Sequence, residues 1–454
     1  MAAPMTHRKI SDYNSYVMKV FIALFLYFAV ILLIYQSTSG SEFRRALQIF
    51  HFIVFVQVIL TVLSRYLWNQ LTKPTQQHSS SSPVQNHKKY PDAQQQVTAP
   101  IALLTWRILV FTFLVLAQIS LGIGRLLPAQ TTPYTIVYIS YSCLGVYAIL
   151  LGVLLPIELT GFMLIKLGLS TKIPVVKGFK LFAVVTVTIA LTIHGLYKAS
   201  DGPVVMRVQI PVHKLPESFH GMKVVQLSDI HLGPTVGRRQ MEQVVAKVNE
   251  LRPDLVVITG DLVEASVDAL AALVEPLQNV KSKYGSYFST GNHEYHAGNV
   301  DAWFSHLEYL GVHCLHNKHV QIKHKTDPSD WFYLAGTDDW HAYMIGGDHG
   351  FDLDKTMSGT DTDHAVILMA HQPYAAKAAL DSKYDFSLIL SGHTHGGQFF
   401  PMNIFIYLMN PFYAGLYHVS EHAYVYVSSG TWYYGPPIRI LSTPEITLVT
   451  LLAH

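Results

Sequence analysis

Five long apolar runs before residue 200 constrain the fold of this chain more than any other feature of its sequence. The hydrocarbon core of a bilayer is about 30 Å thick, and an α-helix crosses it with about 20 mostly apolar residues. A helix buried in a protein core is the alternative, and it stays open mainly for the fifth run, which is short and contains His194. The sequence predicts membrane spans near residues 17–35, 49–68, 108–127, 136–156 and 179–196.

Charged residues make up only 14% of the chain, against about 25% in typical soluble domains. They are scarce before about residue 200 and near normal afterwards. We therefore expect an N-terminal α-helical membrane bundle of about five spans over residues 1–200 and a water-soluble domain over 201–454. The first run lacks a small-residue cleavage site, which indicates an anchor rather than a removed signal. Residues 72–98 are rich in Gln, Ser, Pro and His, a composition that predicts a polar disordered loop.

Composition also restricts the partners. The net charge is +2 and no basic cluster is interleaved with aromatics, so nucleic-acid binding has no support. Cys143 and Cys314 lie far apart, which excludes a disulfide framework or a cysteine-based zinc site. The expected partners are the lipid bilayer and a substrate, and no feature indicates an obligate protein partner.

In the second half, short β-rich apolar runs are each followed by a small residue and then a polar one. Residues 239–251 between the first two runs have helical spacing, and strands that alternate with helices predict an α/β fold. Open α/β sheets gather ligands outside the carboxyl ends of their strands. Five strand ends are therefore predicted to converge on one site, with the candidate ligands Asp229, His231, Asp261, Asn292, His371, His393 and His395.

These residue types indicate a metal site. Asp229 and His231 are two apart, so on an extended backbone their side chains point to one face, and His393 and His395 repeat that spacing. Carboxylate oxygens with imidazole nitrogens suit Mn, Fe or Zn, and a structural zinc ribbon is excluded because cysteine ligands are absent. Asp261 has two oxygens with which to bridge two divalent metal cations. An amide ligand adds no negative charge, so the site still admits an anionic substrate.

The motifs that contain these residues resemble those of the calcineurin-like metallophosphoesterase superfamily, over residues 222–452. The resemblance implies a four-layer α/β fold with two facing β-sheets flanked by helices. It also implies that one metal is held by Asp229, His231, Asp261 and His395, and the other by Asp261, Asn292, His371 and His393. The aromatic segment 430–435 is bulkier than the short glycine-rich turn of the family, so the family's substrates are not carried over to this chain.

The expected activity is that of a membrane-anchored metal-dependent phosphoester hydrolase, in which two metals activate a bridging hydroxide for in-line attack on phosphorus. His293 is expected to steady the phosphate and protonate the leaving oxygen. Glu264 lies three residues after Asp261, where a related branch of the superfamily places a carboxylate against this histidine; the alternative is a solvated glutamate at a helix start. Asp338 and Asp339 are predicted to lie in a surface loop.

Two other functions stay open. One is a catalytically idle metal-binding membrane scaffold. The other is a transporter with a regulatory domain, which is disfavoured because the predicted spans hold almost no ionisable residues. Attachment to the membrane favours a lipid-linked or membrane-proximal phosphoester as substrate.

The side of the membrane on which the C-terminal half lies also stays open. Five spans with the N-terminus inside, as the positive-inside rule favours, place that half outside. The C-terminal half contains no Asn-x-Ser/Thr sequon, which favours the cytoplasm.

Overall fold

The computed structural model describes residues 41–72, 93–126, 135–168, 177–344 and 348–454. The predicted span at 17–35 lies outside these residues, and so does most of the predicted loop 72–98. The N-terminal half contains four long helices, namely α1 (Ser41–Thr72), α2 (Ala93–Leu126), α3 (Thr135–Lys166) and α4 (Lys177–Ser200).

Within the described part of the chain, three segments are long and apolar enough to cross a membrane: Pro100–Ser120, Thr135–Lys166 and Phe179–Ser200. They correspond to the third, fourth and fifth predicted spans. The second predicted span lies within α1, which is not among the three, so the number five stays a prediction. The helices share a small buried cluster that includes Leu67, Val110 and Tyr147. Other large apolar side chains face outward on α2 and α4, as expected for helices surrounded by lipid.

Two boundaries differ from the prediction. The disordered loop predicted over 72–98 is described only at its ends, where Thr72 ends α1 and residues 93–98 belong to α2, and the loop itself stays a prediction. Ala93 and the three glutamines after it are good helix formers, which extends the helix backwards from its apolar part. Helix α3 also continues beyond Pro156 to Lys166, and Glu158 on it pairs with Lys180 of α4 at 2.5 Å.

The C-terminal half contains two six-stranded sheets, whose orders are β1-β12-β2-β3-β4-β5 and β10-β11-β9-β8-β7-β6. In chain order the strands are β1 (Val204–Val212), β2 (Lys223–Leu227), β3 (Leu255–Thr259), β4 (Ser286–Ser289), β5 (Val312–Cys314), β6 (Lys318–Lys323), β7 (Trp331–Gly336), β8 (Val366–Met369), β9 (Leu388–Ser391), β10 (Gly415–Ser420), β11 (Ala423–Val427) and β12 (Glu445–Ala453). Strands β2 to β5 run parallel to one another, and so do β7, β8, β9 and β11.

Helices cover the outer faces of both sheets. Val225 and Val256 pack outward against helices, whereas Val224 and Leu255 belong to the core between the sheets. This alternation with a period of two gives each sheet two buried faces. The two-sheet α/β fold predicted for the C-terminal half is confirmed. The remaining helices are α5 (Arg238–Leu251), α6 (Val267–Val274), α7 (Asn292–His296), α8 (Val300–Tyr309), α9 (Leu353–Thr356), α10 (Pro373–Leu380) and α11 (Met402–Met409).

The two halves of the chain are in direct contact. Ile149 of α3 joins Phe399, Ile438 and Ile440 of the C-terminal domain in one buried cluster. Gly195 of α4 makes the close approach possible, because a Cβ atom there would come within 2.5 Å of the Ile438 side chain. Its carbonyl oxygen accepts a hydrogen bond of 3.0 Å from the Arg439 amide. The domain is therefore held against the membrane helices by apolar contacts and a main-chain bond.

Candidate metal centre

The seven predicted ligands all follow the carboxyl ends of strands. The five strands that precede them are β2, β3, β4, β8 and β9. Asn292 is the first residue of α7, directly after β4. Parallel strands end at one edge of a sheet, so ligands from both sheets meet where those edges face each other.

The sequence predicted an extended backbone at the ligands. The backbone there is not extended. Strand β2 ends at Leu227, before Asp229 and His231, whose φ angles are 54° and 53°. His393 and His395 likewise have φ angles of 71° and 52°. Asp and His tolerate this left-handed region better than most residues, at about 1–3 kcal/mol each. The ligands of each pair therefore converge through strained turns rather than through the alternation of a strand.

The residue before His393 is a glycine, Gly392, because there is no space for a side chain at this position. A Cβ atom at this position would come within 1.9 Å of Ser228 Oγ and 2.3 Å of Asp229 Oδ2. Because glycine has no Cβ atom, the main chain at Gly392 lies close to Asp229, and the His393 amide donates to Asp229 Oδ1 at 3.0 Å. The loops after β2 and β9, one from each sheet, are thus joined at the site.

The first group of side chains consists of Asp229, His231 and His395, whose ligand atoms all lie within 4.8 Å of one another. Nε2 of His395 is 3.3 Å from Asp229 Oδ1. Nε2 of His231 is 3.8 Å from Asp261 Oδ2. Three of the predicted ligands therefore lie together in the interior of the domain, and Asp261 approaches one of them, His231.

The second group consists of Asp261, His371 and His393, again with ligand atoms within 4.8 Å. His371 Nδ1 donates to the Thr259 carbonyl oxygen at 2.7 Å, which turns Nε2 towards Asp261 Oδ2 at 3.1 Å. The same Asp261 oxygen thus faces histidines of both groups. Orientation of a histidine by a main-chain acceptor is typical of metal ligands.

Asn292 supports occupation of the second group by a cation. Its Oδ1 atom is buried and has no hydrogen-bond partner among the residues that the structure describes. A buried polar atom without a partner is costly, and a metal ion provides one. The preceding Gly291 lies directly against Asp261. Oxygen and imidazole donors in these groups fit divalent cations such as Mn, Fe or Zn.

The electrostatics leave two imidazoles ready to bind. Burial lowers the pKa of His393 to about 3, with the charge of His371 adding to the effect. Burial also lowers the pKa of His395 well below its usual value, and His231 and Arg439 contribute. Both are therefore neutral at physiological pH, and neutral imidazole is the form that binds metal. Burial alone would raise the pKa of Asp261, but His371 and His293 hold it well below its usual value.

Glu294 secures the turn that carries Asp261. Its carboxylate is buried and accepts from four main-chain amides: Gly291 at 2.7 Å, Asp261 at 3.0 Å, Leu262 at 2.7 Å and Val263 at 3.2 Å. Burial, with Asp261 nearby, raises the pKa of Glu294 to about 7. A carboxylate used in this way is structural, and it fixes the ligand that both groups share.

Arg439 is a supporting residue that the sequence reasoning missed. It is fully buried and donates to the carbonyl oxygens of His395 at 2.7 Å and Ser429 at 2.8 Å. Its other terminal nitrogen donates to the Trp432 carbonyl oxygen. The one signal in the sequence is a charged residue between two isoleucines, Ile438 and Ile440. Such a charge in an apolar segment indicates a buried anchor.

His293 and Glu264 are in contact at the edge of the site. Glu264 Oε1 lies 2.8 Å from His293 Nδ1 and 2.5 Å from His231 Nδ1, so Glu264 is not a solvated helix-start residue. Burial alone would raise the pKa of Glu264, but the two imidazoles lower it to about 2. Burial alone would lower the pKa of His293, but Glu264 and Asp261 raise it to about 10. His293 is therefore protonated at physiological pH.

Tyr434 forms the exposed rim of the site. Its ring centroid lies 4.6 Å from that of His293 and 5.0 Å from that of His231. The side chain is 44% exposed. Of the aromatic segment 430–435, only Tyr434 thus lies at the entrance among the large aromatics, whereas Trp432 and Tyr433 are buried in the core.

Asp338 and Asp339 were predicted to lie in a surface loop, which is wrong. Both are buried. Asp339 accepts from Gln372 Nε2 at 3.0 Å, next to the predicted ligand His371, and from the His341 amide at 2.8 Å. Short polar sequences resemble exposed loops unless their hydrogen-bond partners, here distant in the chain, are known.

A two-sheet α/β domain with carboxylate and imidazole ligands at facing strand ends defines a metal-dependent phosphoesterase fold. The calcineurin-like phosphoesterase family matches residues 222–397. The "Transmembrane protein with metallophosphoesterase domain" of Danio rerio is 42% identical over 88% of this chain and 89% of its own length. The Bos taurus protein of that name is 41% identical over 91% and 92%. An uncharacterized metallophosphoesterase of Helicobacter pylori is 33% identical over 61% and 72%. The chain belongs to the calcineurin-like metallophosphoesterase family.

Proposed function

We propose that this protein is a membrane-anchored hydrolase that cleaves phosphoesters with two divalent cations. The observation that carries the proposal is the position of Asp261, whose Oδ2 atom faces His231 of one group at 3.8 Å and His371 of the other at 3.1 Å. A carboxylate shared in this way is the expected bridge of a two-metal site. We assign one cation to Asp229, His231, Asp261 and His395, and the other to Asp261, Asn292, His371 and His393.

When bound, two such cations supply an activated water and neutralise charge on the phosphoryl oxygens. The protein's own residues hold the remaining parts of the reaction. Asn292 provides a neutral ligand, so an anionic phosphoester meets less repulsion than a further carboxylate would create. Tyr434 covers His231 and His293 from the solvent side, which limits the entry of bulk water.

His293 is the proposed proton donor. Nε2 of this ring lies 3.9 Å from Asp261 Oδ2, so its proton is at the edge of the predicted metal site. Glu264, bound to Nδ1, keeps the ring charged and oriented. A leaving alkoxide beside Nε2 would take this proton as the ester bond breaks. Glu264 acts through His293 and is therefore a positioning residue.

We expect His293→Ala to lower kcat by about 10²–10⁴-fold for an alkyl phosphoester while two equivalents of metal stay bound. The loss should be smaller for a 4-nitrophenyl ester, whose leaving group needs no proton. His313→Ala, an exposed histidine of β5 that pairs with Glu308, is the control and should keep normal turnover. Equal losses for both leaving groups would contradict the assignment of a proton donor.

We expect Glu264→Gln to lower both turnover and the affinity of the first cation by about 10–100-fold. The reason is that Glu264 orients His231, a predicted ligand, as well as His293. Titration of metal-free protein with Mn²⁺, read by calorimetry, measures the affinity. Glu242→Gln removes an exposed carboxylate of α5 that pairs with the partly exposed Arg238, and it should change neither quantity. Unaltered affinity and turnover in the Glu264 variant would remove it from the site.

The test of the whole proposal is metal analysis of the purified full-length protein together with a panel of phosphomonoesters and phosphodiesters. About two equivalents of metal and metal-dependent turnover are expected. Bound metal with no turnover of any aryl phosphoester in the presence of Mn²⁺ would favour the idle scaffold instead. The three apolar helices support a multi-pass anchor and a lipid-linked substrate.

A further inference from the structure

Helix α11 is unusual for the surface of a water-soluble domain. Its sequence, Met-Asn-Ile-Phe-Ile-Tyr-Leu-Met, contains no charged residue, and none of these eight described residues is buried. Phe405 is 54% exposed and Leu408 is 74% exposed. Soluble surfaces rarely carry a contiguous apolar patch of this kind without a function. The exposed large apolar side chains of the helix are Met402, Ile404, Phe405, Tyr407, Leu408 and Met409.

The start of α11 lies against a membrane-spanning segment. Phe400 and Pro401, which precede the helix, contact α3 at Gly152, where a Cβ atom would come within 2.8 Å of Pro401 Cγ. One and two helical turns further along α3, Leu155 and Leu159 are 42% and 62% exposed. The apolar surface of α11 therefore continues a surface that faces lipid in our assignment of α3.

The same helix is attached to the metal-binding loop. Thr394 Oγ1 donates to the Tyr413 carbonyl oxygen at 2.6 Å, and Tyr413 Oη donates to the Gly396 carbonyl oxygen at 2.5 Å. At the other end, the Asn403 amide donates to the Phe399 carbonyl oxygen at 3.1 Å. Both ends of α11 are thus tied to the segment that carries His393 and His395.

The entrance of the site belongs to this unit as well. Gln398 Nε2 donates to the carbonyl oxygens of Tyr434 and Pro436, each at 2.9 Å. Pro436 approaches Gly145 of α3, where a Cβ atom would come within 3.1 Å of it. Tyr434 therefore borders the metal centre on one side and, on the other, a loop that contacts α3.

We propose that α11 lies in the interfacial region of the bilayer that α3 and α4 cross, and that the metal centre takes the phosphoester headgroup of a lipid from that leaflet. The second part rests on the proposed function; the first does not. An apolar helix without charge binds a membrane through the apolar surface area that it buries in the bilayer. The continuity of α11 with the apolar surface of α3 favours lipid over a protein partner. If α11 packed against a second copy of the chain instead, the test of its location would show that.

The location of α11 is tested by spin labels on the full-length protein in phosphatidylcholine nanodiscs. A label at Leu408→Cys should be accessible to oxygen and inaccessible to a water-soluble nickel chelate. A label at Tyr309→Cys, on α8 and 83% exposed, should show the reverse. The unmodified chain, labelled in parallel, gives the signal of Cys143 and Cys314. Access of the nickel chelate at position 408, or shielding from both reagents as a protein interface would produce, overturns the location.

The substrate is tested by the ratio of two turnover rates in the same nanodiscs. One is for phosphatidic acid or phosphatidylinositol in the bilayer, the other for 4-nitrophenyl phosphate and bis(4-nitrophenyl) phosphate in water. Leu408→Glu should lower the lipid-to-soluble ratio at least about tenfold, equivalent to about 1.4 kcal/mol, whereas Tyr309→Glu should leave it unchanged.

An unchanged ratio in Leu408→Glu, or turnover of soluble esters without turnover of either lipid, overturns the lipid substrate alone. The proposed function fails separately if the unmodified protein hydrolyses none of the four esters.

Discussion

Replacing Asp261 with asparagine is expected to abolish turnover, with a fall of at least about 10⁴-fold, since enzymes supply accelerations of about 10⁶-fold or more and little of this should survive without the metals. Asp261 Oδ2 lies between the histidines of both groups, so its charge serves both cations. The neutral amide keeps the shape of the side chain and removes the negative charge. Bound metal should fall from about two equivalents to one or none, as elemental analysis of the purified protein would measure.

The control for this variant lies at the other end of the same strand. Asp254 directly precedes β3 and accepts from the Lys223 amide at 2.9 Å, so Asp254→Asn keeps an acceptor and stays far along the strand from the site. It should retain both metals and full turnover. Two equivalents of metal in Asp261→Asn, with turnover within about tenfold of the unmodified protein, would refute the bridging role.

The general architecture of this chain was predictable because it depends on the period of the apolar pattern and on the length of the apolar runs. Apolar runs of about 20 residues have few stable alternatives to membrane helices, and three of them have the expected length and hydropathy in the structure. The strand-end pattern was equally informative. A parallel strand has one carboxyl end, so a polar residue after each apolar run is directed to one edge of the sheet.

The backbone conformation of the ligands was not predictable from that pattern. A spacing of two between Asp229 and His231 fits an extended strand, but the chain leaves β2 at Leu227 and enters left-handed turns. Contacts between loops that are far apart in sequence, such as Gly392 against Ser228, impose these turns. The local backbone propensities of these residues do not predict such contacts.

Two features of function depend on tertiary structure in the same way. The eight residues of α11 form a run too short to span a membrane, so its sequence alone resembles a core helix. Only its position between α3 and the metal-binding loop shows that its apolar face has no protein cover among the described residues. Glu264 was proposed through a resemblance, and its second contact, with His231, became visible only in the structure.

Arg439→Met is expected to destabilise the C-terminal domain by about 3 kcal/mol or more, because each buried acceptor left without a donor costs about 1–3 kcal/mol. Burial lowers the pKa of this guanidinium to about 10, with Asp229 and Glu445 opposing the shift, so it stays charged and donates to His395, Ser429 and Trp432. In a domain of this size the loss corresponds to a fall of roughly 6–12 °C in Tm. Thermal unfolding of the full-length protein, followed by fluorescence, measures it.

The second consequence of Arg439→Met concerns the metals. Arg439 donates to the main chain of His395, so its loss should also release this ligand and weaken the first cation by about 10–100-fold, while the second cation stays bound. Arg238→Met removes a partly exposed arginine of α5 whose bonds to Glu242, Glu275 and the Ala272 carbonyl oxygen lie at the surface, where such ion pairs are worth about 1 kcal/mol or less. It should leave metal binding unchanged. If Arg439→Met and Arg238→Met melted within about one degree of each other, Arg439 would not be the anchor of the His395 loop, and the rigidity of that loop would have to come from the contacts of Gln398 and Tyr413.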